Sequence, residues 1–123
     1  MNKGDSISPS EWLYRRGYCT PEKKYCNPDG TATSRVFKLR EKDEGKLSVD
    51  LKSKTTPIVS VGDPSKYFLF ELKNSTVMDI GLDSIYDPLD DGVNDAHSLI
   101  IGMSLDDEVA PGYLARKSKR VII

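Results

Sequence analysis

His97 is the only histidine in the chain, and Asp87, Asp90, Asp91 and Asp95 precede it in "DPLDDGVNDAH". An imidazole beside a carboxylate can serve as a base or as a pH switch, because the negative charge favours the protonated ring. Asp95 stands two residues before His97 and would share its side of an extended strand, which makes it the nearest partner by spacing. The same aspartates could ligate calcium. With Gly92 at the glycine position of a calcium loop, Asp87, Asp91 and Asp95 fall at ligand positions. Leu89 then stands where another oxygen is required, and Ser98 where a bidentate glutamate is required. The spacing therefore favours a solvated loop that stops one strand before the next begins.

A second set is carried by "FLFELK", where Glu71 and Lys73 close an apolar run. With Asp50 upstream (or Asp63, closer), they match the Asp…Glu-x-Lys pattern of metal-dependent nucleases. In that pattern two carboxylates hold Mg²⁺ and the lysine positions or activates water. "EGK" at 44–46 matches Glu-x-Lys as well, so the pattern arises readily by chance. A glycine-rich phosphate loop and a dinucleotide fingerprint are both missing from the sequence, as is a Ser-His-Asp order in a known context. Cys19 and Cys26 with one distant histidine cannot close a four-ligand zinc site and read as ordinary thiols. No cofactor is implied.

The third set is basic. Arg15, Arg16, Lys23 and Lys24 are interleaved with Trp12, Tyr14, Tyr18 and Tyr25, and Arg116, Lys117, Lys119 and Arg120 lie near the end. On one surface this mixture would suit single-stranded nucleic acid. The net charge of −1 and the acidic middle of the chain oppose phosphate.

The elements that must position these groups are legible from patterning. The chain has 123 residues, enough for one domain with its own core, with residues 1–10 expected as a flexible lead-in to a globular unit at 11–123. "EWLYRRGY" can start as a strand or a helical turn, and "NPDG" marks a turn in the loop after it. "RVFKLR" (35–40) and "KLSVDL" (46–51) alternate with period two and suggest a hairpin. "TTPIVSVGDP" holds a short buried run, and "KYFLFELKNS" favours a buried strand followed by a turn. "TVMDIGL" also alternates, "DSIYDP" stays extended to its proline, and "SLIIGM" reads as a central strand. "PGYLARKSKR" opens on Pro111 and places its cations where a helix C-terminus prefers them. "VII" is then expected as an edge strand. The sum is an α+β fold, a mostly antiparallel sheet with one or two short helices.

"LSVDL", "YDPLDD" and "HSLIIG" together resemble short uncharacterised bacterial proteins whose order runs Arg pair, Phe, Leu-Ser-Val, Asp-Pro, His-x-x-Ile-x-Gly. The resemblance spans most of 13–103. It implies a bacterial or phage setting and assigns no site.

Charge is segregated along the chain. Residues 1–54 carry 12 Lys/Arg against 8 Asp/Glu, residues 55–112 carry 2 against 11, and the last eleven carry 4 against none. With no complete catalytic set, the expected function is protein–protein binding by a small cytoplasmic accessory or immunity-type protein. Asp87, Asp90, Asp91 and Asp95 would form the acidic patch, and Arg15, Arg16, Arg116 and Arg120 the basic one, since opposed patches steer and orient encounter. The alternatives are a compact metal-dependent nuclease or hydrolase and a single-stranded nucleic-acid binder. No apolar run reaches the length of about 18 residues that a membrane helix needs. No membrane partner is expected.

Overall fold

The computed structural model describes residues 1–89 and 94–123. The strands are β1 (Trp12–Tyr18), β2 (Lys46–Leu51), β3 (Tyr67–Lys73), β4 (Asp83–Tyr86), β5 (His97–Ile101) and β6 (Lys119–Val121). They form one antiparallel sheet in the order β4-β5-β2-β1-β3-β6. Among the described residues three short α-helices accompany it: α1 (Pro57–Val61), α2 (Asn74–Asp79) and α3 (Ala110–Lys117). The architecture is α+β, as the patterning suggested.

Alternation along each strand divides the sheet into two unlike faces. Leu13, Leu47, Val49, Leu51, Phe70, Leu72 and Ile100 point to one side, where Val36, Phe37, Val77 and Leu114 cover them. Phe37, Phe70 and Leu114 are fully enclosed there. The other side carries Tyr14, Arg16, Ser48, Asp50, Tyr67, Glu71 and His97, and α1 packs on it. Val61 of α1 packs there with Tyr14 and Leu69.

Several elements depart from the sequence expectation. The hairpin of 35–40 with 46–51 does not form. Ser34–Phe37 is a 3-10 turn, and β2 pairs with β1 and β5 instead. The turn buries adjacent Val36 and Phe37 together beneath the sheet, which a strand's alternation would forbid. "TVMDIGL" is not a strand either: Asn74–Asp79 is helical and buries Val77 while Met78 stays exposed. The run "PIVSV" is a helix whose Ile58 and Val59 face solvent. β5 is interior, but it neighbours the edge strand β4 and does not occupy the centre.

The strands at 67–73 and 83–86 and the helix opened by Pro111 form as expected, but that helix ends at Lys117, and the edge strand expected of "VII" is instead Lys119–Val121, which leaves Ile122 and Ile123 exposed. "NPDG" does turn, with the Gly30 amide donating to the Asn27 carbonyl at 2.9 Å. Within the first ten residues, Gly4–Ile7 lie along β4. The Ile7 amide donates to the Ser84 carbonyl at 2.9 Å, and the Ile7 side chain is 2% exposed. Buried Asn74 holds the same segment by donating from Nδ2 to the Ile7 carbonyl.

Candidate functional site

The site begins where two strands part. β1 and β2 pair only at Leu13–Leu51 and Tyr14–Asp50, whereas β1 stays paired with β3 as far as Tyr18. Beyond Tyr14 the Ser48 carbonyl has no strand partner, and Arg15 supplies one. Its Nη1 donates to the Ser48 carbonyl and its Nε to the Val36 carbonyl, each at 2.8 Å. Burial pushes the guanidinium pKa down to about 10, a cost partly offset by Asp43, so Arg15 remains cationic at neutral pH. Two charge-assisted hydrogen bonds take the place of a missing ladder rung.

The parting opens a cleft of about 790 Å³ on the open face. Tyr18, Tyr25, Tyr67 and Arg16 line one side, and Ser48, Asp50 and residues 94–97 the other. Tyr18 meets Tyr25 edge-on at 5.5 Å and Tyr67 at 5.0 Å between ring centroids, and the Arg16 guanidinium lies 4.4 Å from the Tyr67 centroid. A hydrogen bond with Tyr18 raises the Tyr67 pKa. Gly62, at φ +70°, turns the chain from α1 into β3, and a Cβ there would come within 2.9 Å of Arg16 Nη1. The glycine thus serves both the turn and the Arg16 position.

The pairing register places His97, Asp50, Tyr14, Glu71 and Lys119 in one row across five strands of the open face. Asp50 and His97 are direct cross-strand neighbours in the cleft. Ser60 Oγ donates to Asp50 Oδ2 and so ties α1 down beside them. The His97 ring is held from both ends. Nδ1 lies 2.8 Å from the Asp87 carbonyl oxygen and 3.3 Å from Asp87 Oδ2, while Nε2 lies 3.2 Å from Ser48 Oγ.

The carboxylate partner of His97 is therefore Asp87, from the strand exit next door, and not Asp95. Asp95 precedes β5 in a turn and is exposed at the lip of the cleft. Asp87 also faces Lys3 at 3.8 Å. Asp90 and Asp91 lie outside the described residues, and with them the calcium-loop reading of Asp87, Asp91 and Asp95.

The nuclease set does not assemble. Tyr14 stands between Asp50 and Glu71 in the row, which separates them by two strand spacings, or about 10 Å. Lys52 occupies Glu71 at 2.8 Å, and this hydrogen bond raises the lysine pKa. Lys73 ends β3 opposite Trp12, exposed. Among the described residues no three His, Cys, Asp or Glu side chains gather as a metal site would require.

The basic residues do not merge into one surface. Arg16 is on the open face, Arg15 is spent on backbone carbonyls, and Arg116 is exposed on α3 on the covered side. Arg120 lies 3.4 Å from the Phe68 ring centroid. Among the described residues no helix is long and apolar enough to cross a membrane. Sequence reasoning passed over Ser48, Ser60 and Tyr67. Alternation alone puts Ser48 and Asp50 on the wet side of β2, but only the register brings His97 opposite. No protein-family model, curated protein or solved structure matches the chain.

Proposed function

We propose that this chain is a small cytoplasmic docking protein, of the accessory or immunity type, that binds another protein through the open face of its sheet. The observation that carries the reading is α1. It covers the centre of that face with Val61 yet turns Ile58 and Val59 outward, 63% and 66% exposed, beside the cleft. Apolar side chains next to a Tyr and Arg cluster have the composition of an interface core.

Charge supplies the orientation. Arg40 and Lys42 border the cleft at one end, and Asp50 and Asp95 on the side of β5. A partner presenting cations toward residues 94–97 and a carboxylate toward Arg40 and Lys42 would be held in one orientation. The acidic element is thus part of a mixed face and not an isolated bait.

The test is affinity capture at low salt from the cells that make the protein, comparing the unaltered chain with an Ile58→Asp/Val59→Asp double variant of equal melting temperature. A stoichiometric partner retained by the first and lost by the second is the expected result. No stoichiometric partner, or equal retention by both, would overturn the proposal.

A further inference from the structure

Beyond docking, and independently of it, we infer that Ser48, His97 and Asp87 form a nucleophilic relay that acts on esters in the open-face cleft. The argument starts from the tautomer. Both groups at His97 Nδ1, the Asp87 carbonyl oxygen and Asp87 Oδ2, are acceptors only, so Nδ1 carries the proton and donates. The neutral ring then has an unprotonated Nε2, and the atom facing it at 3.2 Å is the Ser48 hydroxyl oxygen. Ser48 Oγ donates to Nε2, which is the ground state a general base needs to activate a serine.

Exposure fits the roles. The His97 and Asp87 side chains are 15% and 23% exposed, screened from bulk water, whereas Ser48 is exposed and lines the cleft. Asp87 would act as a positioning residue, holding the ring and favouring the imidazolium that forms. β1–β2 pairing stops at Tyr14–Asp50, and although Arg15 takes the Ser48 carbonyl at that edge, the exposed Ser48 side lines the cleft. An acyl group can approach from the cleft. Tyr18, Tyr67 and Arg16 suit an acyl or alcohol portion that is aromatic or anionic.

In the proposed step Ser48 Oγ bonds to the ester carbonyl carbon as its proton passes to His97 Nε2. The carbon–oxygen bond to the alcohol portion then breaks, and the imidazolium returns the proton to the departing oxygen, leaving acyl-Ser48 and free alcohol. Water, deprotonated by the same Nε2, attacks the acyl carbon and releases the acid with Ser48 restored. The net reaction consumes one ester and one water and yields one acid and one alcohol.

The test uses the full chain and a tagged alkyl fluorophosphonate, whose phosphorus–fluorine bond is replaced by a phosphorus–oxygen bond to an activated serine. Intact mass should show a single adduct, and peptide mapping should place it at Ser48. Ser48→Ala should abolish it, and His97→Gln should slow it about 100-fold or more. Asp87→Asn should slow it with the melting temperature retained. Because there is one histidine, long-range proton–nitrogen NMR reads its tautomer directly, and the Nδ1-protonated form should dominate in the neutral ring. No adduct, an adduct elsewhere, or a labelling rate indifferent to His97→Gln would overturn the inference. So would a dominant Nε2-protonated ring.

Discussion

The two faces of one sheet do opposite work. On the covered face, Leu13, Leu47, Val49, Leu51, Phe70 and Ile100 meet the 3-10 turn at Ser34–Phe37, α2 and α3, and most of them are fully buried. On the open face, the same strands present Tyr14, Arg16, Ser48, Asp50, Glu71 and His97, with α1 packed against part of it. Period-two alternation produces both faces from the same strands. The buried core lies on the first, and the cleft with its polar and charged lining on the second. A polar residue in the covered core would be costly, whereas the open face tolerates close-set charges because water and neighbouring side chains satisfy them.

This contrast predicts a graded series of effects. Phe70→Ala on the covered face should cost about 3–5 kcal/mol by denaturant unfolding, since an enclosed ring is replaced by a cavity. A smaller loss there would mean that the core is less close-packed than the burial implies. Arg15→Met should cost about 1–3 kcal/mol, because the Val36 and Ser48 carbonyls lose their donors. Its more telling consequence would be a changed amide exchange pattern around Ser48, because Arg15 ties β1 to the Ser48 carbonyl where the two strands part.

Ser60→Ala removes the tether between α1 and Asp50 and should cost about 1 kcal/mol, with faster exchange confined to α1. Exchange that quickens across the whole sheet would contradict the peripheral position of α1. Val59→Asp, on the exposed rim, should alter stability by less than about 0.5 kcal/mol while abolishing partner capture.

Among the contacts that hold the fold, the weakest of this series is the pair of Lys52 and Glu71. The pair is partly exposed, so Lys52→Met should cost under about 1 kcal/mol. Because the folded-state lysine pKa is raised by Glu71, the contribution is complete below the usual lysine range. It is lost as pH rises through the elevated value. The difference in melting temperature between Lys52→Met and the unaltered chain should therefore shrink in strong alkali.

How much of this was legible beforehand follows from the same physics. β2 and β3 were readable because their alternation or apolar density is local. The α3 helix was readable from Pro111 and its trailing cations. "RVFKLR" misled because Phe37 and Leu39 alternate, yet Val36 is buried too, and a tight turn is what buries adjacent Val36 and Phe37 together. "TVMDIGL" misled because a two-turn amphipathic helix and a short strand can place apolar residues at the same positions. At the site, His97 and Asp50 could be picked out as candidates by residue type. Their adjacency could not, because it depends on β2 pairing with β5 across a long stretch of intervening chain. Ser48 carried no signal in isolation, and only the register places it against the imidazole.

The most direct test of the division between faces is amide exchange on the protein alone and bound to its captured partner. Protection should appear at residues 40–42, 54–60 and 94–97, around the cleft, and leave α3 at Ala110–Lys117 unchanged. Protection centred on α3, with the cleft still exchanging freely, would contradict the account.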